Sequence, residues 1–425
     1  MKFKKIINLL LVSSMFISVM GGCAKKEIPV EDDNKSKETS DLTPEEGAEI
    51  TFWTLSGDAE FGGAIAEAFQ AKYGVKVNVQ ENGLDSVNKM MLDGPAGNGA
   101  DVFMAAHDKF TTAKDAGILA ELDEKVSSII KDEVNEVAVK TVTDDGKVYG
   151  VPVSIETYAL LYNKDLVKGE PAKTMEQIGE EALKYNDASS NKFWYLTVPT
   201  DGYPAYPFLS LYGFELFGSD GKDGDNPGFN TTEFTKGLEK IAELKKYIPI
   251  KSEDLKMETM SLLEQNFKDG KTAYYPIGPW LIKSLKDENV NFGVTTLPTM
   301  DGKQMKSFSA VQNAYVSSYS KYPKAAELFA LFLASDEAAQ ILYDKSYRIT
   351  AKNDISNIKG LKDDEELRVY SEAFKSSVPM PSTKRISYYW TTMIGVLNSV
   401  FDGTLTPEEG AKKAQSDFEA LVASE

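Results

Sequence analysis

The sequence predicts an α/β protein, and three observations carry that prediction. Short apolar runs of strand length alternate with segments whose apolar residues recur at helical spacing. Glycines and capping residues fall at the joins between them. One cysteine in 425 residues, with 42% hydrophobic composition, means that apolar cores rather than disulfides hold the fold.

The chain opens on Lys2, Lys4 and Lys5, then a mostly apolar run over 6–19, then Met20-Gly21-Gly22-Cys23. A basic start, an apolar middle and small residues at the end predict a secretory signal over 1–22, too short and too interrupted for a membrane span. Ending it on Cys23 resembles a bacterial lipobox, which implies a lipid on that cysteine and an extracytoplasmic, membrane-anchored protein. Residues 24–47 carry twelve charged side chains and no aromatic, so 23–47 is expected as the lipidated cysteine and a flexible tether.

Past Gly47 the elements follow in order. Residues 50–54 read as a buried strand; Ala64, Ile65, Ala68, Phe69 and Tyr73 follow at helical spacing, with Gly74 as the helix C-cap. Strands at 75–79 and 101–106 complete βαβ units, which predict a mostly parallel sheet. Further strands are expected at 149–155, 158–162, 193–198, 272–277, 292–297 and 314–318. Helices are expected at 323–334, 336–343, 365–374 and 388–401. The last helix opens on Thr406-Pro407-Glu408-Glu409, with Thr406 as cap, proline in the first turn and Glu409 closing a capping box.

The formal charge is −18, and near −21 once residues 1–22 are removed, which argues against nucleic acid and anionic lipid surfaces as partners. With one histidine, no metal-ligand spacing and no nucleophile motif, nothing calls for a metal, a cofactor or Ser-His or Cys-His catalysis. His107 is expected as polar packing at a strand end, and Trp53 as core.

Ligands of α/β sheets bind at the carboxyl ends of strands. Those ends carry Ser56-Gly57-Asp58, His107-Asp108-Lys109, Glu156, Asp201-Gly202-Tyr203 through Tyr206, and Gly278-Pro279-Trp280. Acids alternate with large aromatics. Sugar rings stack their C–H faces on aromatics and donate hydroxyl hydrogens to carboxylates, so this composition suits a carbohydrate.

Ala106-His107-Asp108-Lys109-Phe110, Val151-Pro152-Val153-Ser154-Ile155-Glu156, Tyr162-Asn163-Lys164-Asp165-Leu166, Gly278-Pro279-Trp280, and Met380-Pro381 ten residues before Trp390 resemble the bacterial maltose/maltodextrin-binding proteins. These are solute-binding components of sugar ABC importers. The resemblance runs from about residue 50 to the C-terminus. It implies a two-lobed, periplasmic-binding-protein-like α/β fold with a ligand cleft and three crossings, near 155–157, 309–313 and 359–362. One lobe would hold 48–154 and 314–359, the other 157–309 and 363–425. Position by position it implies that Asp108, Lys109 and Glu156 bond sugar hydroxyls, that Tyr203, Trp280 and Trp390 stack on sugar faces, and that Met380 lines the site. Asp201 takes the place of a family glutamate, and Asp58 matches with the turn after Trp53 shifted by one residue. Ala105 stands where relatives place a tryptophan, leaving space above a sugar ring, and Ile394 stands where they place an arginine.

The expected function is reversible, non-catalytic capture of a maltodextrin-type oligosaccharide by a monomer that delivers it to a membrane permease. Another oligosaccharide such as trehalose is the nearest alternative. An extracellular glycosidase would use two of the same carboxylates as acid and base. A binder of a non-sugar solute would not need the aromatics.

Overall fold

The computed structural model describes residues 42–83 and 85–425. The expected signal over 1–22 and the expected lipid site Cys23 lie outside the described residues. Residues 42–47, expected as the end of the tether, pack on the body of the protein. Leu42 lies against a hydrophobic core, and the Glu45 carboxylate accepts from the Lys324 and Ala325 amides at the start of the helix Pro323–Phe332, at 2.9 and 3.0 Å.

The apolar residues separate into two large cores, each built on its own sheet. The first sheet pairs Glu49–Thr54 in parallel with Lys76–Glu81 on one side and Val102–Ala106 on the other. Phe308–Val316, Gly150–Thr157 and Ile349–Thr350 follow in antiparallel pairings, and the short strand Val378–Pro379 pairs in parallel with the start of Phe308–Val316. The second sheet has the order Phe292–Thr295, Ala159–Asn163, Thr272–Ile277, Phe193–Tyr195, and only its last pairing is parallel. The expectation of a mostly parallel sheet therefore fails beyond the first three strands. The chain does not stay in one βαβ succession: it leaves the first sheet after Thr157, builds the second, and returns through Phe308–Val316 from the opposite direction.

That returning strand starts six residues before its expected start. Ser309, Gln312 and Asn313 interrupt its apolar pattern, yet all nine residues are buried. The burial is tolerated in part because the amide nitrogens of Gln312 and Asn313 find partners, while their side-chain oxygens make no hydrogen bond. Gln312 Nε2 donates to Glu156 Oε1 at 2.7 Å, and Asn313 Nδ2 donates to the Tyr315 hydroxyl at 3.0 Å. A register shift between Gln312 and Asn313 bends the ladder beside these groups.

Local signals behave as the sequence predicts. The helix Ala59–Tyr73 buries Phe61, Ile65 and Phe69 on one face and ends at Gly74 with φ +74°, whose N–H bonds Gln70 O. Thr406 and Glu409 exchange both bonds of a capping box at the start of Pro407–Val422. Trp53 is 1% exposed, in the first core. Among the described residues no helix is long and apolar enough to cross a membrane.

Candidate functional site

Two chain passages bring the sheets together, and the candidate residues gather around them. Gly150–Thr157 belongs to the first sheet and Ala159–Asn163 to the second, so Tyr158 is the single residue between. Phe308–Val316 is the second passage. The Phe308 carbonyl accepts from Thr157 Oγ1 at 2.7 Å and from the Tyr203 hydroxyl at 3.0 Å, which ties both passages to the helix Gly202–Leu209.

An aromatic row lies along the second lobe. Trp280 meets Tyr158 edge-on with centroids 5.8 Å apart. Tyr158 meets Tyr203 at 5.0 Å, Tyr203 meets Phe308 at 5.8 Å, and Phe308 meets Trp390 edge-on at 6.2 Å. Trp280, Tyr203 and Trp390 are half-buried, leaving ring surface for a ligand, whereas Tyr158 and Phe308 are buried behind them. Sequence reasoning missed these two, since Tyr158 looks like an ordinary strand residue and Phe308 lies ahead of the strand expected at 314–318. Asp201 caps the helix that carries Tyr203, accepting from the Tyr203 amide at 2.9 Å. Burial raises its carboxyl pKa, and the Tyr203 amide opposes that rise.

Gly278 fits the row by close approach. A Cβ there would lie 1.9 Å from Trp280 Cζ3, so the indole rests on the bare backbone of residue 278. Gly278→Ala should push Trp280 off its seat while leaving the second core intact. The expected result is unchanged melting within about 1 kcal/mol with binding weakened roughly tenfold, the worth of one misplaced stacked ring. Titration beside thermal melts checks it.

Charged groups from the first lobe face this row. Asp108, buried, accepts from Trp390 Nε1 at 3.2 Å and sits 3.0 Å from Lys109 Nζ. The adjacent His107 is buried with both nitrogens used. Nδ1 accepts from the Val311 amide at 3.1 Å and Nε2 donates to Met380 O at 2.9 Å, a fixed neutral tautomer. Burial lowers its pKa, with Asp108 opposing. Met380 is buried and reaches the site through its carbonyl. His107 is thus polar packing at a strand end, as expected, and also a link between the lobes.

Glu156 and Asp58 meet on a residue that the sequence did not reveal. Arg348 Nη1 donates to Glu156 Oε2 at 2.9 Å, while Arg348 Nε lies 3.1 Å from Asp58 Oδ2. All three are buried. The second pair is close enough for an ion pair, but its N–H does not aim at the oxygen, and neither atom has another hydrogen-bond partner. Burial raises the Glu156 pKa; the Arg348 charge and the Gln312 amide pull it back.

The structure thus gathers Asp108, Lys109, Met380 and Trp390 at one end, and Asp58 with Glu156 on Arg348; Tyr203 and Trp280 belong to the row, with Asp201 beneath Tyr203. Ala105 is 4% exposed and packs within the first core, so the open space expected above it is not there. Ile394 is 53% exposed, one turn beyond Trp390. Neither of two cavities, of about 660 and 360 Å³, is lined by any of these candidates, though the larger reaches Phe308 from behind the row. Among the described residues no group of three His, Cys, Asp or Glu is placed to hold a metal ion.

A row of ring surfaces facing acids and bases is chemistry for a polyhydroxylated, C–H-faced ligand. Comparisons with known proteins agree. The family described as bacterial extracellular solute-binding protein matches residues 64–369. The sequence is 30% identical over 407 residues to the galactooligosaccharide-binding protein of Bacillus subtilis, spanning 93% of this chain and 95% of that one. It is 29% identical over 429 residues to the maltooligosaccharide ABC transporter solute-binding lipoprotein of Streptococcus pneumoniae serotype 4, spanning 99% and 97%. The crystal structure of MalX from Streptococcus pneumoniae in complex with maltopentaose superimposes with a TM-score of 0.80 at 28% identity, over 88% of this chain and 100% of that one.

Proposed function

Since the chain belongs to the bacterial extracellular solute-binding protein family, we propose that it is the sugar-capturing component of an ABC importer, taking maltodextrin-type oligosaccharides. The observation that carries this reading is the aromatic row from Trp280 to Trp390 set opposite Asp108, Lys109 and the Asp58–Arg348–Glu156 group. Trp280, Tyr203 and Trp390 stack on sugar faces. Asp108, Lys109, Glu156, Asp58 and Asp201 bond hydroxyls, and Met380 fills the wall. The lobes divide near Thr157, between Ala310 and Val311 and between Ala351 and Ile358, where membership of the two cores changes, and they close on the sugar by small rotations there.

The protein acts as a monomer and does not cleave its ligand. Its relatives' names describe binding proteins, and Glu156 and Asp58 are bound to Arg348 rather than poised as acid and base. Cys23 carries the lipid that holds the protein at the extracytoplasmic face, where it meets the permease.

Calorimetric titration of residues 42–425 tests the reading. Maltotriose should bind with roughly micromolar Kd, about −8 kcal/mol. The galactooligosaccharide-binding relative supplies the second reading. Heat with a galacto-oligosaccharide and none with maltotriose would favour it, and steady release of glucose from maltotriose would mean a glycosidase.

A further inference from the structure

We propose that Arg348 is the positioning residue of the first-lobe half of the site, holding Asp58 and Glu156 together as a charge-compensated pair of acceptors for sugar hydroxyls. The proposal rests on the oligosaccharide reading and adds to it a residue and a division of labour.

Four observations carry it. Arg348 is the only side chain that reaches both acids by ion pairs within 3.1 Å among the described residues. The acids come from different elements: Asp58 immediately precedes the helix Ala59–Tyr73, and Glu156 lies on the Gly150–Thr157 strand next to Tyr158. A planar guanidinium fixes two such groups in one geometry, which a point charge does not. Second, Gln312, on the other passage between the lobes, donates to the remaining oxygen of Glu156. The group therefore sits where the lobes join.

Third, the backbone that aims Arg348 is strained. Tyr347 has φ +54° and is not glycine. Its hydroxyl accepts from Lys286 Nζ at 2.6 Å, on the helix Ile282–Asp287 of the second lobe. The strain turns the chain between the helix Asp336–Ser346 and the strand Ile349–Thr350 so that residue 348 points inward. Fourth, Asp58 Oδ2 and Arg348 Nε, both buried, lack hydrogen-bond partners. A buried donor and acceptor that are paired only by charge and make no hydrogen bond are groups that a sugar hydroxyl, which donates and accepts, would satisfy.

Removing the guanidinium leaves two acids near each other in a buried place. The groups facing Glu156 are Arg348, Asp58, Tyr158 and Tyr203, with Asp108 facing Tyr203; Arg348 is the cation among them. Glu156 already has a raised pKa by burial, and losing Arg348 raises it further. An acid raised in the folded state is tolerated at low pH and opposes folding and binding as pH rises through its folded pKa.

The experiment compares wild type, R348M and R348M/E156Q by titration with maltotriose and by thermal melts, at pH 5.5 and 7.5. R348M should bind at least about 30-fold more weakly than wild type at pH 7.5 and recover part of that loss at pH 5.5. Its melting midpoint relative to wild type should fall over the same interval, and adding E156Q should cancel that pH dependence. R348M within about threefold of wild type at both pH values, or a loss equal at both, overturns the proposal. Should wild type bind no maltotriose, the oligosaccharide reading fails by itself. The melts still decide on Arg348, because a midpoint difference that is constant with pH overturns its charge-compensating role. If R348M does not fold at pH 7.5, R348M/E156Q should fold there; failure to do so also counts against the proposal.

Discussion

Phe308→Ala should cost about 3–5 kcal/mol of stability and weaken sugar binding in whatever folded protein remains. Phe308 is fully buried and stacks on Tyr206 with centroids 3.5 Å apart and planes 17° apart. It touches Tyr203 and Trp390 in the aromatic row and Tyr389 behind it, at 5.8, 6.2 and 6.3 Å. Truncation therefore removes the ring that backs two proposed stacking residues and leaves a cavity between the sheets. The carbonyl of residue 308, which holds Thr157 and Tyr203, is unaffected by the change, so the backbone crossing should survive. Phe308→Leu fills most of the space and should lose under half as much stability. Urea melts of the three proteins measure this. A loss below about 1 kcal/mol for the alanine variant would mean that the neighbouring rings close the gap and that the row does not depend on Phe308.

The sequence made most of this site legible because acids and aromatics stood at or shortly past strand ends. That rule located Asp108, Glu156, Tyr203 and Trp280 before any coordinates. It did not locate Arg348. Tyr347-Arg348-Ile349 carries no motif, and the partner Glu156 is 192 residues away along the chain. A buried ion pair between such distant positions leaves no local pattern. Tyr158 and Phe308 were hidden for other reasons: Tyr158 sits in a run that any buried strand would show, and Phe308 opens a strand whose polar residues broke the apolar pattern. The fold was misjudged where the chain reversed. βαβ periodicity predicts parallel pairing between neighbours but carries no information on a strand that returns from another lobe, and three buried polar residues masked that strand's first half. Ala105 shows the limit of position-by-position transfer. A small residue in place of a tryptophan implied an open space, yet the first core closes over it.

Trp390→Ala should weaken oligosaccharide binding by roughly 1–3 kcal/mol, a loss of about fivefold to 150-fold, while the protein stays cooperatively folded. The half-buried indole is anchored on the helix Ile386–Phe401, against Tyr389 at 4.7 Å and Phe308 at 6.2 Å, and is not sealed inside either core. Its Nε1–H crosses to Asp108 Oδ2 at 3.2 Å. Trp390 thus has two separable roles: a ring face for the sugar and a donor that holds a first-lobe carboxylate. Trp390→Phe separates them. It keeps a ring but loses the N–H, leaving Asp108 its ion pair with Lys109. If stacking dominates, the phenylalanine variant should retain most of the affinity. If the bridge to Asp108 dominates, it should lose nearly as much as alanine, since a buried carboxylate deprived of a donor loses an interaction worth about 1.5–3 kcal/mol. Titrations and melts of both variants settle the balance. A stability loss of about 3–5 kcal/mol with unchanged affinity would place Trp390 in the core and remove it from the site.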